Sequence, residues 1–212
     1  MVPTKERILE TALKLFNTRG YTSVGVREIS RELKISPGNL SYHFPRKEDI
    51  LFRLLEIFSA TNDGHYKAYL ADTASNENFL RLMNNIFHNQ FSYRGVYIGN
   101  QSIQQELQTS DCFIYENIAK ARQSTFRTIF NDLTLQLQLQ TGPSDIEFLV
   151  SYMTLFGRFW ISEAILVHKE EIEPSVISHY LSMLTKQLSL FATELGLQSI
   201  HDFQVKHPTN MT

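Results

Sequence analysis

The 212-residue sequence contains a single cysteine, Cys112. That excludes an internal disulfide and leaves no set of thiolates to hold a metal. Net charge is only −2, so the chain as a whole has no bulk attraction for a polyanion. Catalytic signatures are missing too: there is no HExxH, no P-loop, no GxGxxG and no GxSxG. The histidines at 43, 65, 88, 168, 179, 201 and 207 form no metal-ligand spacing with carboxylates. His168 and Glu171 give half of a di-iron pattern, but the second Glu-x-x-His half is absent. The expectation is a protein that is not an enzyme and uses no metal and no cofactor.

A secretory leader and a membrane span are also missing. The first twenty residues carry Lys5, Glu6, Arg7, Glu10, Lys14 and Arg19 with no apolar core between them. The longest apolar run, Phe148 to Val167, contains Arg158 and Glu163. Each such charge costs roughly 2.5–3.5 kcal/mol near a bilayer centre. The run is read as a buried helix of a cytoplasmic protein, with Arg158 and Glu163 as charges expected to be buried.

What is present is a core and an uneven charge. Apolar residues make up 42% and charged residues 20%, enough for a packed domain and too apolar for disorder. Residues 1–53 hold ten Lys/Arg against six Asp/Glu, a balance of +4; the remainder holds ten against sixteen, −6. A basic head that meets a polyanion, joined to an acidic body that does not, fits this split.

Helical period dominates throughout. Ile8, Ala12, Leu15 and Phe16 mark a first helix that Gly20 ends, and Val26–Leu33 a second. Ser36 as N-cap and Pro37 as first helical residue open a short third, to His43. A fourth is expected over 46–61, with Asn62-Asp63-Gly64 ending it. Its apolar residues are too many for one face. Further helices are expected near 76–92, 97–109, 112–135, 144–168 and 174–195, followed by a frayed tail from Gly196. Residues 133–140 alternate Leu with Thr or Gln, but a lone strand has no partner, so a helix end or loop is preferred.

Three short helices with a tight turn before the third make a helix-turn-helix. The outward residues of the third, Pro37, Gly38, Asn39, Ser41, Tyr42 and His43, include no aliphatic side chain, while Leu40 and Phe44 point back to the core. Asn39 and His43 can offer hydrogen bonds to base edges in a major groove. Ser41, Tyr42 and Lys47 suit phosphate contacts. Tyr42 could instead be a half-buried core aromatic, and His43 a charge at the helix end.

These residues resemble the DNA-binding domain of the TetR family of transcriptional regulators. The matching segments are Arg7–Phe16, Gly20-Tyr21, Val26–Ile29, Ser36–Phe44 and Lys47–Leu51. The resemblance implies an all-α homodimer with an N-terminal three-helix helix-turn-helix domain and a C-terminal helical domain for ligand binding and dimerisation. The expected division is 1–45 and 46–212, with 46–62 as a linking helix. It further implies that Arg27 touches DNA from the second helix, that Ser36 to His43 lie on the recognition helix, and that Lys47 meets the backbone. Val24, Gly25, Lys34, Asn39 and Ser41 depart from the common pattern; glycine is frequent where Lys34 stands.

In the body, Ile177, Leu181, Leu184, Leu188, Phe191 and Leu195 follow heptad steps, and Leu149, Met153, Phe156 and Trp160 do likewise. Leu149, Met153 and the six residues from Ile177 to Leu195 are expected at a two-fold dimer interface. Phe87, Phe91, Tyr97, Phe126, Phe130, Tyr152, Phe156 and Trp160 are expected to line a cavity for a small apolar or aromatic ligand. The whole reads as a repressor that leaves a pseudo-palindromic double-stranded operator when ligand binds. A helical small-molecule sensor or carrier whose DNA module is no longer used is the alternative.

Overall fold

The computed structural model describes residues 3–97, 103, 104, 107, 115–168 and 172–207, with side chains of 115–119 not described. Among the described residues nine helices are delimited. They are α1 (Thr4–Arg19), α2 (Val26–Leu33), α3 (Pro37–His43), α4 (Lys47–Leu70), α5 (Asn76–Ser92), α6 (Tyr115–Leu135), α7 (Pro143–Val167), α8 (Val176–Ser189) and α9 (Glu194–Lys206). The fold is all-α. Most of the expected 97–109 helix, and Cys112, lie outside the described residues. Among those described, no helix is long and apolar enough to cross a membrane.

The chain gathers into two compact units. One comprises residues 1–61 and 92–113, the other 62–91 and 114–212. An expected boundary after residue 45 falls inside the first unit, because Ile50, Leu51, Leu54, Leu55 and Phe58 of α4 are all buried. Helix α4 also runs nine residues past Thr61. Gly64 in a helix interior costs only about 1 kcal/mol, and Asn62 is held there by a buried bond from Asn89 Nδ2 to its Oδ1 (2.9 Å).

In the first unit, Ile8, Ala12 and Phe16 of α1 are fully buried with Ile29 and Leu40. The Phe16 ring meets Tyr21 edge-on at 5.2 Å. The segment after α5 belongs here as well. Asn17 Nδ2 donates to the Ser92 carbonyl (2.8 Å), and the Gly95 N–H donates to Asn17 Oδ1 (2.7 Å). The backbones approach so closely that a Cβ on Gly95 would lie 2.3 Å from both the carbonyl carbon and oxygen of Phe16.

In the second unit, the expected helix over 174–195 is two helices. Helix α8 stops at Ser189, and Thr193 caps α9 by accepting from the Gly196 N–H (3.0 Å). The tail expected to fray from Gly196 is therefore helical to Lys206, with Ile200 and Phe203 buried. Gly196 is packed so tightly that a Cβ would meet the Gln138 carbonyl oxygen. Fully buried Asn76 joins these parts, donating from Nδ2 to the carbonyls of Gln138 (3.3 Å) and Gly196 (3.2 Å). The alternating segment closes α6 at Leu135 and then forms one antiparallel bridge, Leu139 to Ala192. Helices α7 and α8 run antiparallel: Trp160 sits 5.2 Å from Tyr180, and Phe148 6.1 Å from Phe191, ring centroid to ring centroid.

Replacing Gly95 with alanine forces either α1 or the following turn to move. The expected loss is about 1–3 kcal/mol, the range for overpacking a tight contact, read from a denaturant melt of the full chain.

Candidate nucleic-acid interface

Helix α3 is started and stopped by its own sequence. Ser36 lies in extended backbone (φ −70°, ψ 149°), its Oγ accepts from the Asn39 N–H at 3.1 Å, and Pro37 takes the first helical position. Phe44 leaves helical geometry at φ −139°. Leu40 is fully buried and Phe44 nearly so. Ser36, Pro37, Gly38, Asn39, Ser41 and Tyr42 are exposed and His43 is half-buried. Tyr42 is 84% exposed, which removes the core-aromatic alternative; its ring meets His43 edge-on at 5.3 Å.

Helix α2 presents Arg27 outward. Its start lacks a hydroxyl cap. The Gly25 N–H donates to Glu28 Oε2 (3.0 Å), which supplies one half of a capping box that glycine cannot reciprocate. Backbone N–H groups, with Arg31 adding a smaller effect, hold the Glu28 carboxyl below its ordinary range. Val24, one of the departures from the family pattern, is a core residue.

Lys47 is not a loose cation. Its Nζ donates to the Tyr21 carbonyl (3.1 Å) and sits 3.9 Å from the centre of the Tyr21 ring. It braces the α1–α2 turn against the start of α4. Next to it, Arg46 caps α4 by pairing with Asp49 at 2.9 Å, and this bond keeps the Asp49 carboxyl below its usual range.

The expected ligand residues do not form one set. Tyr97 is buried in the first unit against Phe58, 5.6 Å between ring centroids. In the second unit, Phe87, Tyr152, Phe156 and Trp160 form a continuous ring cluster. Phe87 lies 4.8 Å from Trp160 and 6.1 Å from Phe156, and Tyr152 stacks on Phe156 at 5.3 Å. Phe126 and Phe130 pair at 6.3 Å, and Phe130 meets Phe79. Phe91 is buried. Burial raises the Tyr152 phenol above its ordinary range, so it stays neutral.

Sequence periodicity missed the amide inside this cluster. Buried Gln90 accepts from Trp160 Nε1 (2.5 Å) and donates to the Gly157 carbonyl (2.9 Å). A polar residue on an apolar helix face was the available signal.

The dimer set fares differently from its expectation. Leu149, Met153, Ile177, Leu181, Leu184 and Leu188 are all buried within one protomer. They form its own core, so they are not free for a partner. Phe191 is half-buried and packs on Phe148, while Leu195 is exposed and belongs to α9. Heptad steps define a stripe but not the body it faces. Arg158 is half-buried and Glu163 exposed, so neither is a core charge. Among the described residues no group of three or more metal-ligating side chains occurs.

A head whose third helix is capped, short and polar on its outer face is a helix-turn-helix module. Residues 8–54 match the family described as "Bacterial regulatory proteins, tetR family". The head of the chain is thus similar to the DNA-binding module of that family. The chain is 45% identical over 58 residues to the uncharacterised HTH-type transcriptional regulator YuxN of Bacillus subtilis, covering 27% of this chain and 20% of that protein. It is 32% identical over 123 residues to the probable HTH-type transcriptional regulator YttP of the same organism, covering 51% of this chain and 58% of that one. The matches thus span less than two thirds of either relative. A crystal structure of a TetR-family transcriptional regulator from Marinobacter aquaeolei has the same fold, with a TM-score of 0.79, 21% identity, and coverage of 97% of this chain and 98% of that one.

Lys47→Met keeps the stem and removes the ammonium. The expected loss is about 1–2 kcal/mol, from one charge-assisted hydrogen bond and one cation–π contact, measured by chemical denaturation.

Proposed function

We propose that the protein is a homodimeric, sequence-specific transcriptional regulator of the cytoplasm, a repressor that leaves its operator when a small apolar or aromatic ligand binds. The observation that carries this reading is the outer face of α3, where Asn39, Ser41 and Tyr42 are exposed while Leu40 holds the helix in the core. Asn39 is the base-reading residue, with His43 beside it. Arg27, Ser41, Tyr42 and Lys47 serve the sugar–phosphate backbone, and Ser36, Pro37 and Gly38 allow a close approach. Two such helices from a dimer meet successive major grooves of a pseudo-palindrome.

Dimerisation uses a face other than the heptad stripe. On α7, Phe148, Leu155, Phe159 and Leu166 follow steps of 7, 4 and 7 and are all exposed, Leu155 by 63% and Leu166 by 74%. Helix α8 adds exposed Met183, and Leu190 just past its end is exposed as well. Large exposed apolar rows on adjacent antiparallel helices fit a four-helix interface with a second copy. Ligand enters the ring cluster around Phe87, Phe156 and Trp160, and Gln90 supplies a polar contact by exchanging its bond to Trp160. Phe91, Phe126, Phe130 and Tyr152 belong to the same apolar surroundings.

Selection of bound duplexes from a random pool tests the regulator reading: one enriched, two-fold-related motif is expected, and no enrichment sinks the proposal in favour of a sensor or carrier. With that motif, Asn39→Ala is expected to reduce discrimination against random DNA by roughly 1–3 kcal/mol; equal loss on both DNAs contradicts a base contact. Leu155→Glu is expected to convert a particle of twice the chain mass into one of single mass in light scattering, with helical content unchanged.

A further inference from the structure

The turn between α2 and α3 is strained at one residue. Lys34 adopts φ +56° and ψ +40°, the left-handed region, where a side chain crowds the backbone. Among the described residues Leu137, at φ +54°, is the other non-glycine with positive φ. The backbone needs this geometry to stop α2. The Lys34 N–H donates to the Arg31 carbonyl (3.1 Å), and the Ile35 N–H reaches back to the Ser30 carbonyl (3.0 Å), a Schellman closure. Glycine meets that need without strain. Lysine adds nothing to the turn itself except a charge.

That charge is placed for use. Lys34 is exposed and stands two residues before the Ser36 cap of α3. Arg31, Arg46 and Arg53 of the head are each committed to an ion pair, with Glu28 (3.3 Å), Asp49 (2.9 Å) and Glu56 (2.8 Å). Among the described residues, Lys34 makes no ion pair. Strain retained in an exposed turn beside a binding helix points to a functional demand on the residue.

We infer that Lys34 is a DNA-backbone contact, its ammonium meeting a phosphate at the edge of the groove that α3 enters. The inference rests on the regulator reading and adds to it an anchoring residue absent from the recognition helix. It also makes the strain a trade: head stability is given up for charge at the interface.

The test uses the full chain and the duplex that the wild type selects from a random pool, with Lys34→Gly, Lys34→Arg and Leu137→Gly. Lys34→Gly is expected to raise Tm by about 2–4 °C. It is also expected to weaken binding to selected and random duplexes alike, by roughly five- to tenfold at 0.1 M salt, and to make the slope of log affinity against log salt shallower by about 1 per protomer. Lys34→Arg keeps the slope. Leu137→Gly relieves the same backbone strain with no charge involved, so it raises Tm and leaves DNA binding unchanged. If Lys34→Gly binds with wild-type affinity and slope, the inference is overturned while the regulator reading stands. An unchanged or lower Tm for Lys34→Gly removes the trade and overturns the inference equally. If the wild type selects no duplex, the reading itself fails.

Discussion

A helix of seven residues does not hold itself together in water. Helix α3 has one fully buried side chain, Leu40, with Phe44 following at its end. Everything the outer face offers depends on that anchorage, because it fixes the rotation of the helix and leaves Asn39, Ser41 and Tyr42 outside. The surrounding details serve the same end. Ser36 satisfies an orphan N–H, Pro37 fixes the first turn, and the left-handed Lys34 turns the chain so that both can act. The residues that face solvent are then free to be chosen for a partner, since stability has been delegated to two side chains and a cap.

The head was legible because its signals are local. Gly20 and Ser36-Pro37 are read directly from the chain, and the helix bounds they give agree with the structure to within a residue. Longer-range decisions were not legible. Asn62-Asp63-Gly64 has the composition of a helix end, but the helix persists there with Asn62 bonded to Asn89, a contact 27 residues away. The same holds for the split after Ser189. There Thr193 turns its hydroxyl to the Leu137 carbonyl and to the start of α9, and Gly196 allows the approach of Gln138. Propensity has no access to such partners.

The body shows how one periodicity can mislead about function. Leucines at heptad steps on α8 read as a seam for a second chain, and in the structure they are the protomer's own core. A helix packed inside a monomer and a helix packed on a twin use the same steps; what differs is whether a second apolar row remains outside. On α7 it does. Leu149, Met153 and Trp160 are buried while Phe148, Leu155, Phe159 and Leu166 are exposed, so this helix is apolar on more than one side. A helix apolar all round belongs in a larger core than one protomer provides. The long apolar run that a membrane reading would have claimed therefore has a simpler account: one face lies in the core and another is exposed.

Continuity of α4 gives the regulator reading its physical economy. Its first fifteen residues, Lys47 to Thr61, lie in one compact unit and its last nine in the other. Lys47 and Asp49 tie the start to the turns around it, and Asn62 ties a later residue to α5 through Asn89. Helix α5 also carries Gln90, whose amide is spent on Trp160 and Gly157. Adjacent residues of one helix thus hold, in sequence, the bond to α4 and the bond into the aromatic cluster. Neither buried amide can lose its partner without leaving polar atoms unsatisfied, at about 1–3 kcal/mol for each such group.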